Sequence, residues 1–145
     1  MNAAARLHFR EADSGDIPAI REIRAAVREN RLSDPERVPV AMIQDYLTFL
    51  GKGWVCELDG RVVGFSFAAT RSQSIWALFV LPEHEGRGIG KQLLGLASGW
   101  LFAKGATQVV LSTAPDTRAD RFYQRQGWLR GALLGNGEIF YCQRR

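Results

Sequence analysis

The sequence lacks any apolar run that approaches the roughly 20 residues needed to cross a bilayer. Its first ten residues turn polar without forming an apolar core, so we expect no secretion signal, no association with a membrane and a cytoplasmic location. No repeat, linker or low-complexity segment divides the chain. We therefore expect one domain over residues 1–145, and a hydrophobic content of 46% is enough for it to bury a core.

Cysteine and patterned charge are also scarce. The two cysteines, Cys56 and Cys142, have no close metal-ligand spacing and lie in strand-like runs, so we predict buried free thiols. The net charge of +4 suits an anionic ligand, but the basic residues form no run or stripe of the kind that nucleic-acid-binding domains carry. We therefore expect neither a metal nor a nucleic acid as a partner.

What the sequence does contain is a succession of strand-like and helix-like segments, typical of a mixed α/β sheet of about seven strands with four helices. The turn Asp59-Gly60 predicts a hairpin. The predicted strands cover residues 6–12, the two arms of that hairpin over 54–68, and residues 75–81, 108–111, 128–134 and 138–142. The predicted helices cover residues 17–30, 40–50 and 116–125, and the stretch from residue 89 that Gly105 ends. Residues 31–39 read as a loop.

The strand predicted at Ile75–Leu81 is apolar on successive residues, so we expect both its faces to be covered and place it centrally in the sheet. It ends at Pro82, and the glycine-rich turn Gly86-Arg87-Gly88-Ile89-Gly90-Lys91 leads directly into a helical pattern. Because glycine has no Cβ, several backbone N–H groups of such a turn can point at one anion, and the positive helix end adds to the attraction. This arrangement predicts a phosphate-binding loop.

Two common phosphate loops do not fit this turn. A Walker-type loop needs a glycine where Glu85 stands and a hydroxyl residue where Gln92 follows the lysine. A dinucleotide loop of the form G-x-G-x-x-G needs a glycine at the sixth position, which is Lys91 counted from Gly86 and Leu93 counted from Gly88. Both patterns fail.

The string from Val80 to Leu94 resembles the acyl-CoA pyrophosphate loop of the GNAT superfamily of N-acetyltransferases. That motif is Gln/Arg-x-x-Gly-x-Gly/Ala at the start of a helix, after a strand that ends in Val-x-Pro. The chain departs from it at the first position, where Glu85 replaces Gln or Arg. Because a carboxylate repels a pyrophosphate, we expect Glu85 to face away and Arg87 and Lys91 to supply the positive charge.

A second stretch resembles the other cofactor motif of the same family, Asn-x-x-Ala-x-x-Phe-Tyr-x-x-x-Gly-Phe. Asp116 stands where the family has Asn. The matching positions are Ala119, Phe122, Tyr123, Gly127 and Trp128. The resemblance covers residues 6–143, is specific between residues 75 and 128, and is weak over the first 50 residues.

The resemblance implies a GNAT-like acyl-CoA N-acyltransferase fold in which the strands at 75–81 and 108–111 splay apart and open a cleft for acetyl-CoA. It also implies that the Val80 N–H polarises the thioester carbonyl. The implied cofactor-binding residues are Leu78, Phe79, Val80, Gly86, Arg87, Gly88, Ile89, Gly90, Lys91, Asp116, Ala119 and Tyr123.

The chemistry that the resemblance implies is direct attack of a primary amine on the thioester in a ternary complex. Tyr123 stands where the family has the general acid that protonates the departing thiolate. Some members have a glutamate as the base where this chain has Ser74, which cannot serve directly. Glu57 could act through a water, and Glu57 and Asp45 could attract a cationic amine. Glu83 and His84 read as surface residues, and the base stays open.

Three classes of function remain open on the sequence. The leading one is acetyl transfer from acetyl-CoA to a small-molecule or peptide amine. An acyl-CoA-binding sensor or regulatory module without turnover is the alternative, against which the retained Tyr123 argues mildly. A nucleic-acid-binding domain is disfavoured by the absence of a basic stripe. Aromatic residues near the end of the chain, Trp128, Phe140 and Tyr141, could form the edge of a homodimer or simply pack within the domain.

Overall fold

The computed structural model describes residues 6–27 and 39–145, which form one seven-stranded sheet flanked by helices. The strands are β1 (Leu7–Glu11), β2 (Gly51–Leu58), β3 (Arg61–Ala69), β4 (Ser74–Val80), β5 (Gln108–Thr113), β6 (Leu129–Leu133) and β7 (Ile139–Arg144). The helices are α1 (Ile17–Ala26), α2 (Val40–Asp45), α3 (Ile89–Ala103) and α4 (Arg118–Arg125). This confirms the mixed α/β fold and the predicted order of elements. None of the helices in the described residues is long and apolar enough to span a membrane.

The strand order is β1-β2-β3-β4-β5-β7-β6, so β4 lies at the centre, as predicted. Neighbouring strands are antiparallel except for β4 and β5, which are parallel. The β4–β5 register contains one pair, Ser74 opposite Val110. Beside it the Val110 N–H donates to the Gln73 carbonyl at 3.1 Å. The two strands therefore separate beyond this point and leave a gap in the middle of the sheet.

The helices lie on both faces of β3. On one face the Ser66 hydroxyl donates to the Leu93 carbonyl of α3 at 3.0 Å. On the other face the Phe65 ring contacts the Phe79 ring of β4, and the Arg24 guanidinium of α1 lies over that same Phe79 ring. A sheet covered in this way buries a strand on both sides, and β3 is buried from Val63 to Ala69.

The turn between β2 and β3 forms as the sequence predicts. Asp59 has φ of 51° and Gly60 has φ of 85°, the left-handed pair that a two-residue hairpin turn requires. The hairpin between β6 and β7, predicted around residues 135–137, is also present.

Helices α1 and α2 both end earlier than the sequence predicts. The first was expected to reach Asn30, but α1 ends at Ala26 with Val27 extended; residues 28–38 lie outside the described part of the chain. The second was expected over residues 40–50, but α2 ends at Asp45 and residues 46–50 form a π-helical turn. There the Thr48 hydroxyl donates to the Gln44 carbonyl at 2.6 Å, which competes with the backbone bond that an α-helix would make.

Two burial predictions need correction. Ile75 is buried, but Trp76 to Val80 are only half-buried, because the gap beside β4 leaves that edge open. Cys56 is a buried free thiol, as predicted, whereas Cys142 is half-buried. Burial raises the pKa of the Cys56 thiol to about 11, which makes it a poor nucleophile at neutral pH.

Candidate active site

A cleft of about 1920 Å³ occupies the gap between β4 and β5. One end reaches the turn before α3 and the exposed side of α4, and the other reaches α1 and the start of β7. The cleft therefore passes from one face of the sheet to the other. Its walls contain both backbone and side-chain polar groups.

The edge of β4 presents backbone N–H groups to the cleft. The Leu81 N–H donates to the Val63 carbonyl of β3 at 2.9 Å. Because the N–H groups of a strand alternate in direction, those of Leu78 and Val80 point away from β3, toward the cleft. The backbone of Phe79 faces β3 instead, so the ring of Phe79 is the part that lines the cleft.

A β-bulge in β4 accompanies the separation of the strands. Phe67 pairs with Ala77 and Ala68 pairs with Ile75, so Trp76 is an extra residue in β4. The Trp76 ring stacks on Tyr46, with centroids 3.8 Å apart and planes 11° apart. A bulge bends its strand and increases the local twist, which favours divergence of β4 from β5 at this level.

The glycine-rich turn before α3 has the backbone conformation that only glycine adopts readily. Gly86 has φ of 82° and Gly88 has φ of 80°, and Gly88 precedes the first residue of α3. The buried Ile89 side chain anchors the turn, and the helix-forming N–H groups that follow it have no partner within α3. The turn lines the cleft and supplies free donors and a positive helix end, and the anion site predicted there stays a prediction.

The charged residues around this turn differ from the expectation. Glu85 does not face away: its carboxylate forms an ion pair with Arg118 at the start of α4, and both residues line the cleft. Lys91 lines the cleft, whereas the exposed Arg87 is not among the lining residues.

Helix α4 adds a basic row that the sequence reading missed. Arg118, Arg121 and Arg125 lie at positions i, i+3 and i+7, on one side of the helix, and all three line the cleft. Their helical spacing was visible in the sequence and was the available signal. Together with Lys91, these arginines make the end of the cleft beside the glycine-rich turn positively charged.

Tyr123 also lies on α4, where it is 7% exposed and lines the cleft. Its ring contacts those of Phe122, Trp128 and Tyr141, with centroids 5.2, 6.1 and 5.6 Å away. Burial, with the neighbouring Tyr141, raises the pKa of Tyr123 above its ordinary value near 10.0. The hydroxyl therefore stays neutral and keeps its proton at physiological pH.

A buried ionic network holds α4 against the last hairpin, and nothing local in the sequence pointed to it. Asp120 is 3% exposed, and its two carboxylate oxygens each accept from Arg130 at 3.0 Å. The Tyr141 hydroxyl donates to the same carboxylate, as does the Asp116 N–H at 2.9 Å. Arg130, ahead of the other donors, holds the pKa of Asp120 below its usual range, although burial acts in the opposite direction.

Only some of the site residues predicted from the sequence lie in the cleft. Ala119 lines the cleft with Tyr123, but Asp116 is exposed, has φ of 61° and is not a lining residue. Asp45 and Glu57 do not line the cleft either. Glu57 lies on β2, two strands from the gap, and accepts from the Arg10 Nε at 3.4 Å.

Two further predictions concern residues near the ends of β4. Ser74 lines the cleft at its narrow end, where its hydroxyl is 2.6 Å from that of Ser72. His84 lines the cleft, but Glu83 does not and is exposed. On the β7 side the cleft has a carboxylate that the sequence reading did not identify, that of Glu138.

Comparison with known proteins finds acetyltransferases. L-2,4-diaminobutyric acid acetyltransferase from Nocardia farcinica (strain IFM 10152) is 31% identical over 98 residues, which are 63% of this chain and 51% of that protein. The chain thus spans about half the length of this curated relative. Many solved structures share the fold at low sequence identity, and two of them serve as examples.

The first of these structures is PaiA N-acetyltransferase from Thermoplasma acidophilum in complex with coenzyme A. It has a TM-score of 0.83 at 14% identity, and the match covers 97% of this chain and 99% of that one. The second is the ribosomal-protein-S18-alanine N-acetyltransferase from Escherichia coli. It has a TM-score of 0.73 at 14% identity, with 94% and 91% covered. The family model described as Acetyltransferase (GNAT) family matches residues 17–128, and the chain belongs to that family.

Proposed function

We propose that the protein transfers the acetyl group of acetyl-CoA to a primary amine, which attacks the thioester directly while both substrates are bound. The observation that carries this proposal is the cleft between β4 and β5, which combines an unpaired strand edge with a glycine-rich anion site. A thioester donor with a long polar arm and an anionic end needs both features.

The residues present fit acetyl-CoA as the donor substrate. The pantetheine arm carries amide groups, which can pair with the backbone of Leu78 and Val80 as an added strand would. The pyrophosphate suits the N–H groups of the turn from Gly86 to Lys91. A Cβ at Gly86 or Gly88 would meet no protein atom within 4 Å, so within the protein these glycines are required by their positive φ.

The basic row of α4 supports the same donor. Arg121 and Arg125 line the cleft beside this turn and attract a ligand with several negative charges. The Glu85 carboxylate, which would repel a phosphate, is neutralised by Arg118. This explains how the chain can keep a phosphate loop whose first motif position is acidic.

The chemistry needs one bond to form and one to break. The amine nitrogen bonds to the carbonyl carbon, and the carbon–sulfur bond breaks to release CoA. As the amine adds, negative charge builds on the carbonyl oxygen, and a fixed N–H donor stabilises it. We assign this donor to Val80, whose N–H faces the cleft, with the N–H of Leu78 one step away on the same edge.

Tyr123 is the general acid in this proposal. Tyr123 is buried, lines the cleft and keeps its phenolic proton, so it can give that proton to the departing thiolate. No residue is assigned as the base, since Glu57 lies outside the cleft and Ser74 has no basic group. The amine can enter in its neutral form from solvent. The proton that its nitrogen loses as the amide forms returns, directly or through water, to the tyrosinate that is left when the departing thiolate takes the Tyr123 proton.

The acceptor class follows from the family and from its named members. The Nocardia farcinica relative is named for a small diamino acid and the Escherichia coli structure for the alanine of a ribosomal protein. Both names describe an amine, and a small molecule is the acceptor that we propose for this chain. No observation on the described residues favours a second class of function.

Turnover with a panel of amines tests the proposal. The protein is mixed with acetyl-CoA and each amine, free thiol is followed with a chromogenic reagent, and the acetylated amine is identified by mass spectrometry. We expect thiol release that depends on both the protein and the amine. Stabilisation of the fold by CoA without thiol release from any amine would contradict acetyl transfer and favour an acyl-CoA-binding module.

A further inference from the structure

Glu138 places a carboxylate in the cleft that has no cationic partner within residues 6–27 and 39–145. Its Oε1 accepts from the Ser112 hydroxyl at 2.7 Å and from the Asn136 side-chain nitrogen at 3.2 Å. Both hydrogen bonds fall on one oxygen, so the carboxylate is oriented while Oε2 keeps its capacity to accept. A carboxylate that is held in place and not neutralised is a site for a cation.

The other carboxylates that line the cleft differ from Glu138. Glu85 is paired with Arg118 at the phosphate end. Glu22 lies exposed on α1, and no hydrogen bond fixes its side chain among the described residues. Among the carboxylates that line the cleft in the described residues, Glu138 alone is held by side-chain hydrogen bonds and has no ion-pair partner.

Glu138 lies on the face of the sheet opposite the phosphate end. Tyr141 points to α4, where its hydroxyl donates to Asp120. Because side chains alternate along a strand, Glu138 and Phe140 point to the other face, on which Arg24 of α1 covers Phe79. An acceptor bound on that face would not compete with the phosphates of the donor.

Glu138 also lies near the level of the proposed reaction. On the β5–β7 wall, Thr113 is three residues beyond Val110 and pairs with Ile139, so Glu138 stands one further step along, about 13 Å from the point where the strands meet at roughly 3.3 Å per residue. On β4 the bulge takes up one residue, so Leu78 is three ladder steps and Val80 five steps beyond Ser74. Glu138 therefore lies between the levels of Leu78 and Val80.

We propose that Glu138 binds a second ammonium group of the acceptor, so that the preferred acceptor is a diamine or another amine with a remote positive charge. The inference rests on the proposed acetyl transfer. The reacting amine must be neutral to attack, so a fixed carboxylate is matched to the nitrogen that stays protonated.

The test compares unbranched diaminoalkanes with monoaminoalkanes of the same chain length at saturating acetyl-CoA. The variants are Glu138→Gln, Glu138→Asp and, as a control with the same change of charge, Glu83→Gln, which is exposed and outside the cleft. The readouts are kcat/KM for each amine and the KM for acetyl-CoA. A thermal unfolding curve of each variant identifies loss of folded protein.

We expect the natural protein to prefer diamines about tenfold, and Glu138→Gln to remove that preference by lowering kcat/KM for diamines about tenfold, with a much smaller change for monoamines and in the KM for acetyl-CoA. Glu138→Asp should keep part of the preference and Glu83→Gln all of it. Equal turnover of diamines and monoamines by the natural protein would overturn the inference, and so would an equal loss with both in Glu138→Gln. Turnover of monoamines in either case would leave the proposed function intact, whereas absence of turnover with every primary amine would overturn both.

Discussion

Ser74 and Val110 form the one pair in the register between β4 and β5, and the strands separate beyond them. Parallel strands in the middle of a sheet normally continue their hydrogen-bonded ladder, so this early separation leaves backbone donors and acceptors of β4 without a neighbouring strand. A bulge at Trp76 lies just beyond the pair. The proposed chemistry depends on this gap, which gives an acyl donor a strand edge to bind.

Replacement of Tyr123 by phenylalanine tests the general acid. The ring contacts of Tyr123 survive in the variant, but the proton donor is lost. We expect kcat to fall roughly ten- to hundredfold with little change in the KM for acetyl-CoA, because a thiolate is a tolerable leaving group without full protonation. Steady-state kinetics of thiol release measure both values. Tyr141→Phe, one ring away, is the control: its hydroxyl serves Asp120, so it should lower the melting temperature and leave kcat within about twofold.

The pH dependence of kcat gives a second view of the same residue. Burial raises the pKa of Tyr123, and an acid works only in its protonated form, so the active form persists above the ordinary tyrosine value of 10.0. We expect kcat to show no loss from tyrosine ionisation below that pH. A fall of kcat below pH 10.0 that disappears in Tyr123→Phe would show that the hydroxyl ionises normally.

Substitution of Gly88 by alanine tests the anion site. The φ of 80° strains any residue with a Cβ, and relief of that strain would rotate the N–H groups at the start of α3. We expect the Kd for CoA, measured by isothermal titration calorimetry, to rise roughly fivefold to tenfold. Gly99→Ala is the matched control because Gly99 lies exposed within α3 with no atom near its added Cβ. It should leave the Kd unchanged and raise the free energy of unfolding by about 0.5–1 kcal/mol. Equal affinities in the two variants would argue against the turn as the phosphate site.

Arg121 tests the basic row of α4. It is exposed and lines the cleft, so it acts on the donor through a screened charge. We expect Arg121→Gln to raise the Kd for CoA about threefold at low ionic strength and to have little effect in concentrated salt. Arg71→Gln, exposed and outside the cleft, carries the same charge change and should have no effect. If both variants weaken binding equally, the effect comes from net charge and not from this row.

Asp120 should matter for stability. Replacement by asparagine leaves Arg130 with a neutral partner and weakens the contacts of Tyr141 and the Asp116 N–H, for which we expect a loss of about 2 kcal/mol in the free energy of unfolding. The folded-state pKa of Asp120 is lowered, so its contribution is complete above the ordinary value near 3.8 and declines as the pH falls below it. Denaturant unfolding at several pH values should therefore show the gap between Asp120→Asn and the natural protein narrowing in acid. A gap that stays constant down to low pH would contradict the ion pair as its source.

The features that the sequence predicts well are those set by neighbouring residues. The Asp59-Gly60 turn, the glycine turn before α3 and the place of Tyr123 on α4 all depend on short segments, whose conformation follows from glycine positions and helical spacing. The order of the elements follows from the same signals, and the central position of β4 follows from its continuous apolar run.

The features that the sequence does not predict depend on residues far apart in the chain. The pairing of Glu85 with Arg118 crosses from the phosphate turn to α4, and the contact of Ser112 with Glu138 joins two strands. Each side chain alone reads as an ordinary surface residue. The half-buried state of β4 was also missed, because hydropathy indicates that a strand avoids water but not that a gap lies beside it.

The central claim is that acetyl-CoA lies in the gap between β4 and β5, and a crystal structure of the protein with bound CoA tests it most directly. We predict density for the pantetheine arm beside the N–H groups of Leu78 and Val80, and for the pyrophosphate on the turn from Gly86 to Lys91. Density for CoA outside this gap, with β4 and the glycine turn unoccupied, would contradict the account.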